Sequence, residues 1–210
     1  MSRPRRGVYR APAQVIVGIR HAQVWNPEGL VYARLPGFHL SDEGRTAAKA
    51  LAEALSSTPM RAVYSGPLDR AMETAAILSA PHGLRIRRDE RLTEWSFWAR
   101  WQGMPWTRIR ERDPHLLEAY GMDPAKACPE DPLEEVGGRV LAWARDAERA
   151  YPEGLVVGVT HEAPLLAAYL VGGGHDISTY RSMNLPHLGG LRLRPGPPEL
   201  VDLVQWAGTC

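Results

Sequence analysis

Three short stretches of this 210-residue chain combine imidazole, guanidinium and turn residues in ways that could hold and process an anion. Arg20-His21 closes the β-branched run Val15 to Ile19, and Thr160-His161 closes the similar run Leu155 to Thr160. Arg70 opens a helical stretch immediately after the turn Ser65-Gly66-Pro67, where helix amides and a guanidinium can face one oxyanion. A buried parallel strand delivers its polar residues at its carboxyl end, and in open α/β sheets that end is where ligands sit. An Arg-His pair alone carries no signal in a chain with this many arginines; its weight comes from the repetition of the pattern at His161.

The elements that must position these residues follow from periodicity. Ala22 to Leu40, with Pro27, Gly29, Pro36 and Gly37, reads as a long loop, and Ser41 caps a helix to about Ser56 with Ala47, Ala48, Leu51, Ala52 and Leu55 as its apolar stripe. Arg61 to Tyr64 reads as a strand, Leu68 to Ser79 as a helix and Gly83 to Arg87 as a short edge strand. Leu133 to Tyr151 is a long helix, Ala163 to Val171 a helix ending near Gly172-Gly173-Gly174, and Gly190 to Leu193 and Leu200 to Val204 complete the sheet edge. The alternation predicts a three-layer α/β/α sandwich with a mostly parallel central sheet. Residues 1–14 form a basic tail, 15–210 the domain, and 95–132, with four tryptophans and five prolines, a lid-like insertion over the site.

At this point four segments resemble the motifs of the histidine phosphatase, or phosphoglycerate mutase-like, superfamily. They are Ile16 to Ala22, Val63 to Ala75, Leu92-Thr93-Glu94 with Trp101-Gln102-Gly103, and Val159-Thr160-His161, in family order. Ala33 to Gly37, followed by Leu40-Ser41 and Gly44-Arg45, is similar to the arginine-containing loop of its phosphatase and phosphomutase branches. The resemblance implies His21 as nucleophile, Arg20 and Arg70 as phosphate clamps, His161 as the second histidine, Glu94 as proton donor, and Asn26 and Arg34 as further substrate contacts. Four positions depart from the pattern: Ala22 and Glu162 stand where Gly is usual, Val24 where a hydroxyl is usual, and Trp25-Asn26 lies one residue closer to the nucleophile. Glu162 is thereby a carboxylate at the phosphate end of the site.

These roles suit phosphoryl transfer, which mainly needs in-line positioning and charge neutralisation; two guanidiniums and a histidinium supply both, and no metal or cofactor is required. The implied activity is a phosphomonoesterase of the histidine acid-phosphatase type acting on a small-molecule phosphate ester. The alternatives are a phosphoglycerate mutase-like phosphomutase and a catalytically weak phospholigand-binding module. Trp95, Trp98, Trp101 and Trp106 serve equally as insertion core or as the wall of a leaving-group pocket for apolar or aromatic esters. His39, His82, His115, His175 and His187 read as structural or exposed, with His39 closest to the Arg34 loop.

Composition narrows the partners. A formal charge of +1 argues against nucleic acid, so any phosphate site is local. Two distant cysteines, Cys128 and Cys210, suggest neither disulfide nor zinc site, no apolar run reaches membrane-span length, and no signal-peptide pattern follows Arg3 to Arg10. The expectation is a cytoplasmic protein with no membrane partner, a homodimer being left open. His161-Glu162-Ala163-Pro164-Leu165 begins like a zinc-protease HExxH but has Leu at the second ligand position.

Overall fold

β-branched runs form the strands β1 (Val15–Arg20) and β4 (Leu155–Thr160), and shorter or alternating apolar stretches form β2 (Met60–Ser65), β3 (Ile86–Arg88), β5 (Gly190–Arg194) and β6 (Glu199–Val201). In the computed structural model, which describes residues 13–194 and 196–203, they make one sheet in the order β3-β2-β4-β1-β5-β6. The first four are mutually parallel, β5 runs antiparallel to β1, and β6 antiparallel to β5. Arg3, Arg5, Arg6, Arg10, Val204 and Cys210 lie outside the described residues.

Among the described residues there are six α-helices: α1 (Asp42–Ala54), α2 (Asp69–Ser79), α3 (Trp106–Arg112), α4 (Pro114–Met122), α5 (Leu133–Ala150) and α6 (Glu162–Gly173). Alternation along the strands sorts them into layers. Val17, Ile19, Val157 and Val159 join Leu51, Leu55, Ala75 and Leu78 of α1 and α2 on one face. Ile16 and Val156 face the opposite core with Val140, Trp143, Leu165 and Leu166 of α5 and α6. Each such buried aliphatic side chain contributes about 1.5–3 kcal/mol. Gly18 and Gly158 are in register on the α5–α6 face. A Cβ at Gly18 would stand 2.4 Å from Leu165 Cδ2, and one at Gly158 2.4 Å from the Trp143 ring, so their absence lets the helices settle on the sheet.

The helix ends match their sequence signals. Ser41 Oγ accepts from the Gly44 amide at 3.0 Å, with Asp42 and Glu43 in the first turn, and α6 ends at Gly174 with φ +68°. The expected edge strand from Gly83 is shorter than read: Ala80–His82 form a tight turn closed by Gly83 at φ +63°, and pairing begins only where Ile86 meets Val63. The last strand, expected from Leu200, starts one residue earlier at Glu199, opposite Arg192, and ends at Val201. Between β3 and α5, Trp95, Phe97 and Trp101 are buried; Phe97 stacks on Trp95 at 4.8 Å and on Tyr120 at 4.7 Å, and the Trp95 indole N–H donates to Asp131 O. Among the described residues no helix is long and apolar enough to cross a membrane.

Candidate active site

Register brings the two histidines together. Arg20 pairs with Thr160 across the parallel strands β1 and β4, so the next residue of each leaves the sheet at the same edge. The His21 amide donates to Thr160 O at 2.9 Å, and the rings of His21 and His161 meet at 5.2 Å. Strand β2 lies on the other side of β4, and the turn after it starts α2, whose first residues carry Arg70 into the same place. Gly66 is needed in that turn because a Cβ there would stand 2.3 Å from Leu92 O.

The hydrogen bonds of His21 set its tautomer. Its Nδ1 lies 2.8 Å from Ala22 O, and since a carbonyl only accepts, the proton is on Nδ1 and the lone pair on Nε2. Arg70 Nε donates to that Nε2 at 3.2 Å. Burial, then the neighbouring Arg70 guanidinium, holds the His21 imidazole well below its ordinary range, so it is neutral. Arg70 is itself fully buried; its Nη2 donates to Ala33 O at 2.5 Å, and its guanidinium lies 4.7 Å from the Tyr32 ring centre. Ala33 has φ +30°, an uncommon conformation for alanine, which turns its carbonyl onto that guanidinium.

Burial, followed by Arg70 and His21, pushes the His161 imidazole well below its usual value, toward the neutral ring. Among the described residues the two His161 nitrogens have no hydrogen-bond partner, nor do Arg20 Nε and Arg70 Nη1, all four being buried. Glu94 Oε2 is 3.8 Å from His161 Nδ1, beyond hydrogen-bond reach, while Glu94 Oε1 accepts from the Trp95 amide at 2.7 Å. Burial raises the Glu94 carboxyl above its ordinary value, opposed mainly by Arg70.

Arg20, His21, Tyr32, Glu94, Trp98 and Glu162 line a cavity of about 110 Å³; Arg70 and His161 are fully buried against His21 and are not among its lining residues. Glu162 Oε2 is ion-paired with Arg20 Nη1 at 3.0 Å. Arg34 and Asn26 are not among its lining residues. Arg34 donates through Nε and Nη2 to Glu94 O, and pairs with Asp131 at 3.1 Å, so it holds the backbone that carries Glu94. Asn26 spends both side-chain groups on Leu30, accepting from its amide at 3.0 Å and donating to its carbonyl at 2.8 Å. His39 is exposed and paired with Glu73.

One neighbour of the cluster was missed by sequence reasoning. His187, exposed on its outer side, stands 5.3 Å from the His21 ring, with its Nδ1–H donating to His21 O at 3.1 Å. It arrives because Leu188 N donates to Arg20 O on the path into β5. No motif surrounds it, so only the long-range pairing of β5 with β1 could have found it.

The chain matches the histidine phosphatase superfamily (branch 1) over residues 16–203. It is 49% identical over 76 residues to the uncharacterized protein Rv0525 of Mycobacterium tuberculosis, a match covering 36% of this chain and 38% of that protein. It is 29% identical over 170 residues to phosphoserine phosphatase 1 of Hydrogenobacter thermophilus, covering 80% of each. The structure of Bacillus stearothermophilus YhfR superposes with a TM-score of 0.79 at 22% identity, covering 91% of this chain and 100% of that one, a likeness of fold.

Proposed function

The chain belongs to the histidine phosphatase superfamily (branch 1), and from that premise we propose that it is a phosphomonoesterase that hydrolyses small-molecule phosphate esters through a phosphohistidine on His21, without a metal. The observation that carries this reading is a neutral imidazole presenting its Nε2 lone pair amid four buried, unpartnered nitrogens of Arg20, Arg70 and His161. Buried polar groups are almost always paired, so such a cluster suits an oxyanion with several acceptor oxygens.

In this mechanism Arg20 and Arg70 bind the phosphoryl oxygens and neutralise charge that builds up in transfer, and His161 donates a hydrogen bond to the same group. His21 Nε2 attacks phosphorus, the bond from phosphorus to the ester oxygen breaks, and Glu94 gives its proton to the departing alkoxide. Burial raises the Glu94 carboxyl above its ordinary value, which favours the protonated form that step needs. Glu94, now a carboxylate, takes a proton from water as the water oxygen attacks the phosphohistidine; the bond between nitrogen and phosphorus breaks, inorganic phosphate leaves and the imidazole is regenerated. Segment 95–132 serves as the lid whose Trp98 and Trp106 wall the leaving-group side. The relative named as a phosphoserine phosphatase supports a small phosphorylated metabolite as substrate.

The test is inorganic phosphate release from aryl, sugar, glycerate, amino-acid and nucleotide phosphates in excess EDTA, with a radiolabelled substrate quenched in alkali to trap phosphohistidine. The expected result is turnover that survives chelation, together with a label on the native protein that is absent from His21→Ala. Tight binding of phosphate esters without release of phosphate would overturn the reading.

A further inference from the structure

Glu162 stands at the junction of two cavities. The first is the 110 Å³ pocket containing His21 and Arg20; the second, about 320 Å³, shares Trp98, Trp106, Glu162 and Tyr180 with it and extends to Tyr120 and Met183. Glu162 Oε2 pairs with Arg20 and Oε1 accepts from the Leu185 amide at 3.2 Å, and a carboxylate with about four lone-pair sites retains capacity for another donor. A second carboxylate beside a phosphate clamp opposes an isolated phosphate dianion, because like charges a few ångströms apart repel strongly at low dielectric. Around His21 the guanidiniums of Arg20 and Arg70 stand with Glu94, which acts as a protonated acid, and with the carboxylate of Glu162, which pairs with Arg20. A substrate that brings its own cation offsets the Glu162 carboxylate, and aromatic walls attract such a cation through their ring faces.

We propose that Glu162, with Trp98, Trp106 and Tyr180, forms a subsite for an ammonium group on the alcohol portion of the substrate, so that the enzyme selects phosphate monoesters of amino alcohols. Arg181 lies at the far end of the second cavity, its guanidinium 5.2 Å from the Tyr120 ring centre and its Nη1 donating to Gly121 O at 3.0 Å. That cation already covers Tyr120, which assigns the substrate ammonium to the Glu162 end, nearest the phosphate clamp.

This inference rests on the phosphomonoesterase reading, and its test separates the two. Phosphocholine is compared with its carbon isostere, in which the quaternary nitrogen is replaced by carbon, so that shape is held and charge removed. The native protein is expected to prefer phosphocholine by about tenfold or more in kcat/KM, the size of one desolvated cation contact. Glu162→Gln should bring the ratio to within about twofold of one, with the isostere's own kcat/KM rising as Arg20 is freed for phosphate, while Glu162→Asp keeps a preference for the cation. Turnover of the isostere by Glu162→Gln reports an intact phosphate site. A ratio near one in the native protein, or one that Glu162→Gln leaves unchanged, overturns the subsite. Failure of the native protein to hydrolyse either ester or any panel member overturns the phosphomonoesterase reading, and the subsite with it.

Discussion

Replacing Arg70 by methionine, which keeps most of the side chain's length and removes its charge, should separate stability from activity. In the folded protein this guanidinium is completely buried, its Nη1 has no partner, and its remaining contacts are His21 Nε2, Ala33 O and the Tyr32 ring. Losing the charged hydrogen bond to Ala33 O costs about 1.5–3 kcal/mol, and the cation–π contact about 0.5–2 kcal/mol. Against this, burying an ion carries a penalty of several kcal/mol that methionine removes. The two sides nearly cancel, so stability should change by about 1 kcal/mol or less, a shift of roughly 2–4 °C in Tm for a chain of this size. Activity has no such compensation: removing a donor that faces transition-state charge lowers kcat by about 10²–10³. Thermal melts of both proteins with and without inorganic phosphate provide the assay. At 100 times Kd, phosphate adds about 2.7 kcal/mol, so the native protein should gain roughly 5–10 °C and Arg70→Met far less. Equal stabilisation of the two proteins by phosphate, or a Tm loss above about 10 °C without ligand, would refute the assignment of Arg70 as a clamp held at a cost to the fold.

The pH profile of kcat/KM should be a bell. Its acid limb, where His21 gains a proton, lies well below pH 6.5 because burial and Arg70 depress that group, and its alkaline limb, where Glu94 loses one, lies above pH 4.5 because burial raises it. Glu94→Gln should abolish the alkaline limb, and persistence of that limb would assign it elsewhere. Trp98→Ala should lower kcat/KM for an aryl phosphate about tenfold and for a sugar phosphate less than threefold; equal losses would remove Trp98 from the leaving-group wall. Gly158→Ala places a Cβ 2.4 Å from the Trp143 ring and should destabilise by about 1–3 kcal/mol. Gly138→Ala, within α5 and with nothing inside 4 Å of its added carbon, should stabilise by about 0.5–1 kcal/mol, and denaturant melts of the two variants check both signs.

Local pattern was enough to find the strands that end in Arg20-His21 and Thr160-His161, the Ser41 cap and the α/β alternation, because each depends on periodicity and turn chemistry within a few residues. The parallel order also followed, since strands separated by helices return in one direction. Strand lengths at the sheet edge did not, because an edge strand extends only as far as its single neighbour pairs with it, as Ile86 does with Val63.

Within the site the division is similar. Residue types and spacing pointed to the strand ends at His21 and His161 and to the helix start at Arg70; the resemblance to a known family added Glu94 and the roles. Tertiary structure decided their states and surroundings: the neutrality of His161, the tautomer of His21, the arrival of His187, the diversion of Asn26 to Leu30 and of Arg34 to the Glu94 backbone, and the pairing of Glu162 with Arg20. Periodicity and turn chemistry act over one or two turns of chain and are written in neighbouring letters. Desolvation, tautomer and ion pairing depend on groups such as Arg20 and Glu162, or His21 and His187, that more than 100 residues of chain separate and only the packed sheet brings within a few ångströms.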